Sequence, residues 1–348
     1  MSATGTSNPE YVVARVRARR AALFDDEDYR KLVRMGPAEI ARFMEESSYE
    51  TEINALGARH SGVDLIEFAL NRNMAENFDD LLRWADGQLY DLIARYLRKF
   101  DAWNVKTVIR GLYADSDPET IEADLIRAGE FDDRLVDRLL EAGSIQDVVD
   151  LLDRTMFGEP LADAYGDYES TGVLVPLENA VDRAFYERLL GGIPETEPTA
   201  LYREFLTAEV DFRNARNALR LARSGADIDP GDYFIEGGKL FSASELSQLA
   251  TDVDQLVDAI RESTYGDDLS DALTELEEAD SLIEFERTLE AALVAYADRL
   301  GSQFPVSVTP VISYVLAKER EVNNIRAIAR GREAGLDPDE IEAELVIL

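Results

Sequence analysis

The chain has no cysteine and a single histidine, His60, among its 348 residues. Without thiols there is no disulfide, no thiolate metal site and no cysteine nucleophile. One histidine gives no pair for a metal. Its neighbours Arg59, Ser61 and Gly62 are loop formers, so His60 is expected on the surface or in a loop, without a catalytic role. Lysine is also scarce: five of the 36 basic residues are Lys, leaving 31 arginines against 71 acids. A formal charge of −35 excludes a nucleic-acid binder or a polybasic membrane-surface protein, because either needs a basic footprint for phosphate. The profile is that of a protein adapted to molar salt, which screens self-repulsion over a few ångström.

Long apolar runs are missing too. Met1 to Pro9 is small and polar, with no secretory h-region, and none follows Arg19-Arg20. The longest uncharged stretch, Gly301 to Ala317, carries Pro305, Pro310, three Ser and a Thr, and is too short and polar for a membrane span. A soluble protein kept inside the cell is expected. The motifs of common chemistries are also lacking. Gly238-Lys239 has no upstream glycine and is followed by Leu240, so it is no phosphate loop, and GxGxxG, HExxH and GxSxG do not occur. Asp227-Ile-Asp229-Pro-Gly-Asp232 resembles the start of a calcium loop, but its glycine is misplaced and Glu236 arrives too early, so it reads as a turn. Carboxylates are so abundant that acid pairs alone identify nothing. No catalytic residue, cofactor or metal is therefore expected.

What is present is a repeat. Asp101, Asn104, Lys106, Arg110 recur as Asp211, Asn214, Arg216, Arg220 and as Glu321, Asn324, Arg326, Arg330, each set 110 residues after the last (211 − 101 and 321 − 211). Tyr49, Phe157 and Tyr265 recur at 108, each followed four residues later by Ile53, Leu161 or Leu269. Phe131 and Phe241 are again 110 apart, and Asp117-Pro118, Asp229-Pro230 and Asp337-Pro338 follow the polar sets. Ile121-Glu-Ala-Asp-Leu125 returns as Ile341-Glu-Ala-Glu-Leu345. One domain of roughly 110 residues written three times is expected, with boundaries at 8–115, 116–228 and 229–348.

Apolar residues at steps of three and four, as in Leu135, Leu139, Leu140 or Leu249, Val253, Leu256, Ile260, predict an all-α fold. Val306 to Thr309 is discounted as a strand because its equivalents lack strand character. Asn8-Pro9, Thr309-Pro310 and Asp337-Pro338, the last with Glu340, predict helix starts. Asp91 to Leu112 is expected as one helix. On its wheel Val105, Val108, Ile109 and Leu112 form the apolar stripe, with Asp101 inside it, Asn104 at its edge and the Lys106/Arg110 pair on the far side.

An acid inside an apolar stripe is costly without an internal partner, so Asp101, Asp211 and Glu321 with Asn104, Asn214 and Asn324 are read chiefly as groups that define the repeated fold. A ring of contacts to a partner on a threefold axis is the other reading. Lys106/Arg110, Arg216/Arg220 and Arg326/Arg330 are either solvated faces or contacts between domains or to a partner. The helix after Pro9 holds Arg15, Arg17, Arg19 and Arg20, the one dense basic cluster. It is either a solvated face or a dock for an acidic or membrane-adjacent partner.

Tyr11-Val-Val-Ala-Arg-Val-Arg-Ala-Arg-Arg20, Phe100-Asp-Ala-Trp-Asn-Val-Lys-Thr-Val-Ile-Arg-Gly111 and above all Tyr314-Val-Leu-Ala-Lys-Glu-Arg-Glu-Val-Asn-Asn-Ile-Arg-Ala-Ile-Ala-Arg-Gly331 resemble the C subunits of archaeal and bacterial A/V-type rotary ATPases, known as the d subunits in eukaryotic V-ATPases. The resemblance covers essentially the whole chain. It departs in a more acidic surface and in Leu221, where Gly111 and Gly331 stand in the other copies. It implies three helical domains around a pseudo-threefold axis, forming a funnel without enzymatic activity. One copy per complex would sit between the central axle subunits and the membrane proteolipid ring, peripheral to the cytoplasmic face of the membrane. The resemblance implies no cofactor, nucleic acid or small-molecule substrate. A general helical scaffold unrelated to ATP synthesis is the competing reading. A metal- or phosphate-dependent enzyme is a third, weakened by the missing motifs.

Overall fold

The computed structural model describes residues 7–224, 231, 234–249, 253–266, 273–274, 282–343 and 345. Their regular structure is helical throughout, so the fold is all-α as the periodicity predicts. The chain divides into two compact units, Met1–Phe185 with Phe304–Leu345, and Tyr186–Gln303. In the first, α1 (Pro9–Arg20), α2 (Asp26–Leu32), α3 (Pro37–Glu45), α4 (Glu50–Leu56), α5 (Gly62–Trp84) and α6 (Gly87–Leu97) precede α7 (Lys99–Tyr113). Then come α8 (Pro118–Ala123), α9 (Asp133–Leu140), α10 (Ile145–Leu152), α11 (Gly158–Thr171) and α12 (Val175–Gly191), within which the unit boundary falls. The second unit continues with α13 (Ala200–Ser224), α14 (Ala243–Leu249), α15 (Val253–Arg261) and α16 (Leu282–Gln303). The chain then returns to the first unit with α17 (Thr309–Glu333) and α18 (Pro338–Ala343).

The C-terminal α17 is the central element of the first unit. It packs against α1, α2, α3, α5, α6 and α18. Val311, Ile312, Tyr314, Val315, Val322, Ile325, Ile328 and Ala329 on it are all buried. Its N-terminal part, Thr309 to Ala317, is apolar on nearly every side and has to lie inside a bundle. In the second unit α13 takes the same place, against α14, α15 and α16.

The expected single helix over 91–112 is instead α6 and α7, parted at Arg98, whose ψ of −12° tightens the turn. Packing is the reason: α6 lies against α5 and α17, whereas α7 lies against α8, α9 and α10. Two sets of neighbours override a continuous period. Helix starts fall where predicted at Pro9, Thr309 and Pro338. Asn8, however, does not cap its own helix. Its side chain accepts from the Asp86 N–H (2.9 Å) and donates to the Trp84 carbonyl (2.8 Å), closing the corner between α5 and α6. Val306 to Thr309 is bend and helix start, not strand. The turn reading at Asp227, Asp229, Pro230 and Asp232 lies outside the described residues.

Gly111 and Gly331 have a common cause. A Cβ on Gly111 would lie 2.4 Å from Ile121 Cγ1, and one on Gly331 2.8 Å from Ile341 Cγ1. Each long helix is therefore bare where the isoleucine of the next short helix presses on it. Among the described residues no helix is long and apolar enough to cross a membrane.

Candidate functional site

The three acids are buried, and each is held by a chain segment far from its own helix. Asp101 accepts from the backbone N–H of Glu130 (2.7 Å) and Phe131 (3.0 Å). Asp211 accepts from Lys239 N–H (2.7 Å), Leu240 N–H (2.8 Å) and the Tyr265 hydroxyl (3.0 Å). Glu321 accepts from Phe24 N–H (3.0 Å), the Tyr49 hydroxyl (3.0 Å) and Lys318 Nζ (2.8 Å). The loop backbone approaches the two aspartates so closely that a Cβ on Gly129 would stand 2.0 Å from Asp101 Oδ1, and one on Gly238 2.2 Å from Asp211 Oδ1. The longer glutamate keeps its loop a methylene further off, and Ala22-Leu23 precede its donor Phe24.

The recurring aromatic position belongs to the same arrangement. Tyr49 donates to Glu321 and Tyr265 to Asp211, while Phe157 has no hydroxyl and packs edge-on against Phe131. Asp101 thus has no hydroxyl donor where the others have one. Burial pushes its carboxyl up to about 6, against the pull of the Glu130 and Phe131 N–H groups. Burial raises Asp211 as well. Tyr49 is driven well above the ordinary phenol range by burial and then by Glu321. Lys318 is lowered by burial, opposed by Glu321.

The asparagines lock the same loops. Asn104 accepts from Ile126 N–H and donates to Ile126 C=O, both at 2.8 Å. Asn214 makes the same pair with Ile235, both at 2.9 Å. Asn324, also buried, meets the Tyr29 hydroxyl.

Sequence reasoning placed the basic residues on the far side of the wheel, and that far side faces another helix. Lys106 pairs with Asp182 (2.5 Å) and Arg110 with Glu178 (2.5 Å), both on α12. Arg326 donates to Asn71 Oδ1 (2.6 Å), and Arg330 pairs with Glu67 on α5 and with Asp124 (3.0 Å). The order 110 with 178 and 106 with 182, like 330 with 67 and 326 with 71, makes each seam antiparallel. Arg216 has partners of its own, and the Arg220 side chain lies outside the described residues. Glu67, Glu178 and Asp182 are hidden among 71 acids, and Asn71 carries no charge to mark it. Their own spacing was the available signal: 178 − 67 and 182 − 71 are both 111.

The N-terminal cluster splits. Arg19 bonds Asn77 and pairs with Asp80, and Arg20 donates to Ser313 Oγ (2.5 Å), so both tie α1 to its neighbours. Arg15 and Arg17 stay exposed. Arg15 lies 3.7 Å over the Tyr11 ring and 5.6 Å from that of Trp84. His60 sits at the turn before α5 with its ring 4.4 Å from Phe68.

The sequence pattern of the ATP synthase (C/AC39) subunit family matches residues 12–344. The chain belongs to this family. It is 73% identical over 348 residues, the whole of both chains, to a protein of Haloferax volcanii named as the C subunit of an A-type ATP synthase. A protein of the same name in Halorubrum lacusprofundi is 72% identical over 347 residues, again across both chains. One from Methanococcoides burtonii is 35% identical over 98% of this chain and 95% of its own. The two nearer relatives come from halophilic archaea, in keeping with the acidic, lysine-poor composition of this family member.

Proposed function

We propose that this chain is the adaptor between the central axle and the membrane proteolipid ring of an A-type ATP synthase. The observation that carries the reading is end-to-end similarity to proteins named as C subunits of A-type ATP synthases. In this role it does no covalent chemistry. It transmits torque, as one copy per complex, peripheral to the cytoplasmic face of the membrane. Three like modules around an axis, with boundaries near 8–115, 116–228 and 229–348, give it the walls of a socket.

The interior supports a mechanical part. A torque-bearing body must not creep, and creep is resisted where helices are pinned by buried directional bonds as well as by apolar contact. The acid and asparagine of each set pin a loop to a long helix, and the basic residues pin long helices to antiparallel neighbours. The test is recovery of partners in molar KCl with the full chain as bait. Axle and ring subunits are expected to be retained. Recovery of neither would refute the adaptor role.

A further inference from the structure

We propose that the outward face of α1, centred on Arg15, docks an acidic helix of another polypeptide of the complex through a carboxylate; this rests on the adaptor reading. Arg15 has no hydrogen-bond or ion-pair partner among the described residues. Its guanidinium is instead laid on the Tyr11 ring at 3.7 Å, with Trp84 on another side at 5.6 Å. Stacking fixes the plane of the group and leaves its edge N–H donors free. A planar fork held in advance suits a carboxylate, which it can engage through two parallel bonds.

The rest of the face fits a helix. Ala14, Ala18 and Ala21 follow at steps of four and three on the exposed side, while Val12, Val13 and Val16 are buried beneath. Small side chains let a second helix come close. Exposed Arg17 adds a second positive charge with no partner among the described residues. Asp86 and Asn8, which join α1 to the α5–α6 corner, hold the face steady. A protein carboxylate is favoured over lipid phosphate because two exposed arginines, Arg15 and Arg17, fall short of the about four to eight clustered basic residues that recruit an anionic lipid surface.

The test uses the full chain in its assembled complex, with the photo-crosslinking residue p-benzoylphenylalanine at Ala14 and, separately, Arg15→Glu. The crosslink is expected on a polypeptide of the complex, beside an Asp or Glu. Arg15→Glu should weaken retention of the chain at least about tenfold, as befits a charge pair desolvated in an interface. Reversing the crosslinked partner's carboxylate to Arg should restore it. A crosslink to lipid, or unchanged retention of Arg15→Glu at an unaltered thermal midpoint, would overturn the docking proposal while leaving the adaptor role standing. Absence of the unmodified chain from the isolated complex would sink both.

Discussion

At Gly129 the structure leaves no room for a methyl group, since the space is filled by the carboxylate that two backbone N–H groups hold in place. Gly129→Ala is expected to cost about 1–3 kcal/mol, through overpacking and loss of those bonds. Denaturant unfolding in molar KCl measures it, and an unchanged midpoint would contradict the close approach. Asp101 itself should leave a mark on the pH profile. Its carboxyl is raised from 3.8 to about 6, so the folded state holds the proton more tightly than the unfolded chain. That contribution is fully present below about pH 4 and is lost as pH rises through about 6, a span worth at most roughly 3 kcal/mol. The stability of the native chain relative to Asp101→Asn should therefore decline between pH 4 and 6 and level off above about 7. A constant difference across that range would show that burial does not dominate at this carboxyl.

Among helices, the contact of Gly331 with Ile341, like that of Gly111 with Ile121, makes a compensating pair. Gly331→Ala alone should destabilise by about 1–3 kcal/mol, and adding Ile341→Ala should cost less than the sum of the two changes. Strict additivity in calorimetry would argue against this contact. The seams lend themselves to a double-mutant cycle. Lys106→Met removes one cationic partner of Asp182, whose side chain is 18% exposed. A coupling of about 1 kcal/mol or more to Asp182→Leu is expected. These seams show what the sequence could and could not convey. Periodicity was enough for helices, for the stripe carrying Val105 and Val108, and for an acid that needed an internal partner. It could not say which partner, because the N–H groups of Glu130 and Phe131 carry no side-chain signature. The far side of a wheel leaves a solvated face and a contact between domains equally open, and in the bundle it meets another helix. The break at Arg98 had no Gly or Pro to announce it and follows from tertiary packing alone.

On the scale of the molecule, the third polar set looks back to the start of the chain. Glu321 bonds Tyr49 and Phe24, 272 and 297 residues away, while Tyr314 bonds Asn77 across 237. Truncation after Gln303 should therefore unfold the region of α1 to α6, because Tyr49, Asn77 and the apolar residues around α17 lose their partner. Hydrogen exchange of the truncated chain, with and without a peptide of residues 304–348, would decide the matter. Protection of α1 to α6 without the peptide would refute it. The repeat was legible because three copies carry the same letters. That the last copy's acid is satisfied by the first residues of the chain was not, since linear spacing cannot express closure.

That closure sets a clock on biosynthesis. The residues that seat α17 leave the ribosome more than 200 positions before it does, counting from Leu97 to Thr309. At about 5–20 residues per second the opening bundle waits roughly 10 to 40 s with an empty central groove. The nascent protein has to be sheltered through that interval, and a ribosome stalled before Thr309 would release an apolar trough in place of a folded subunit.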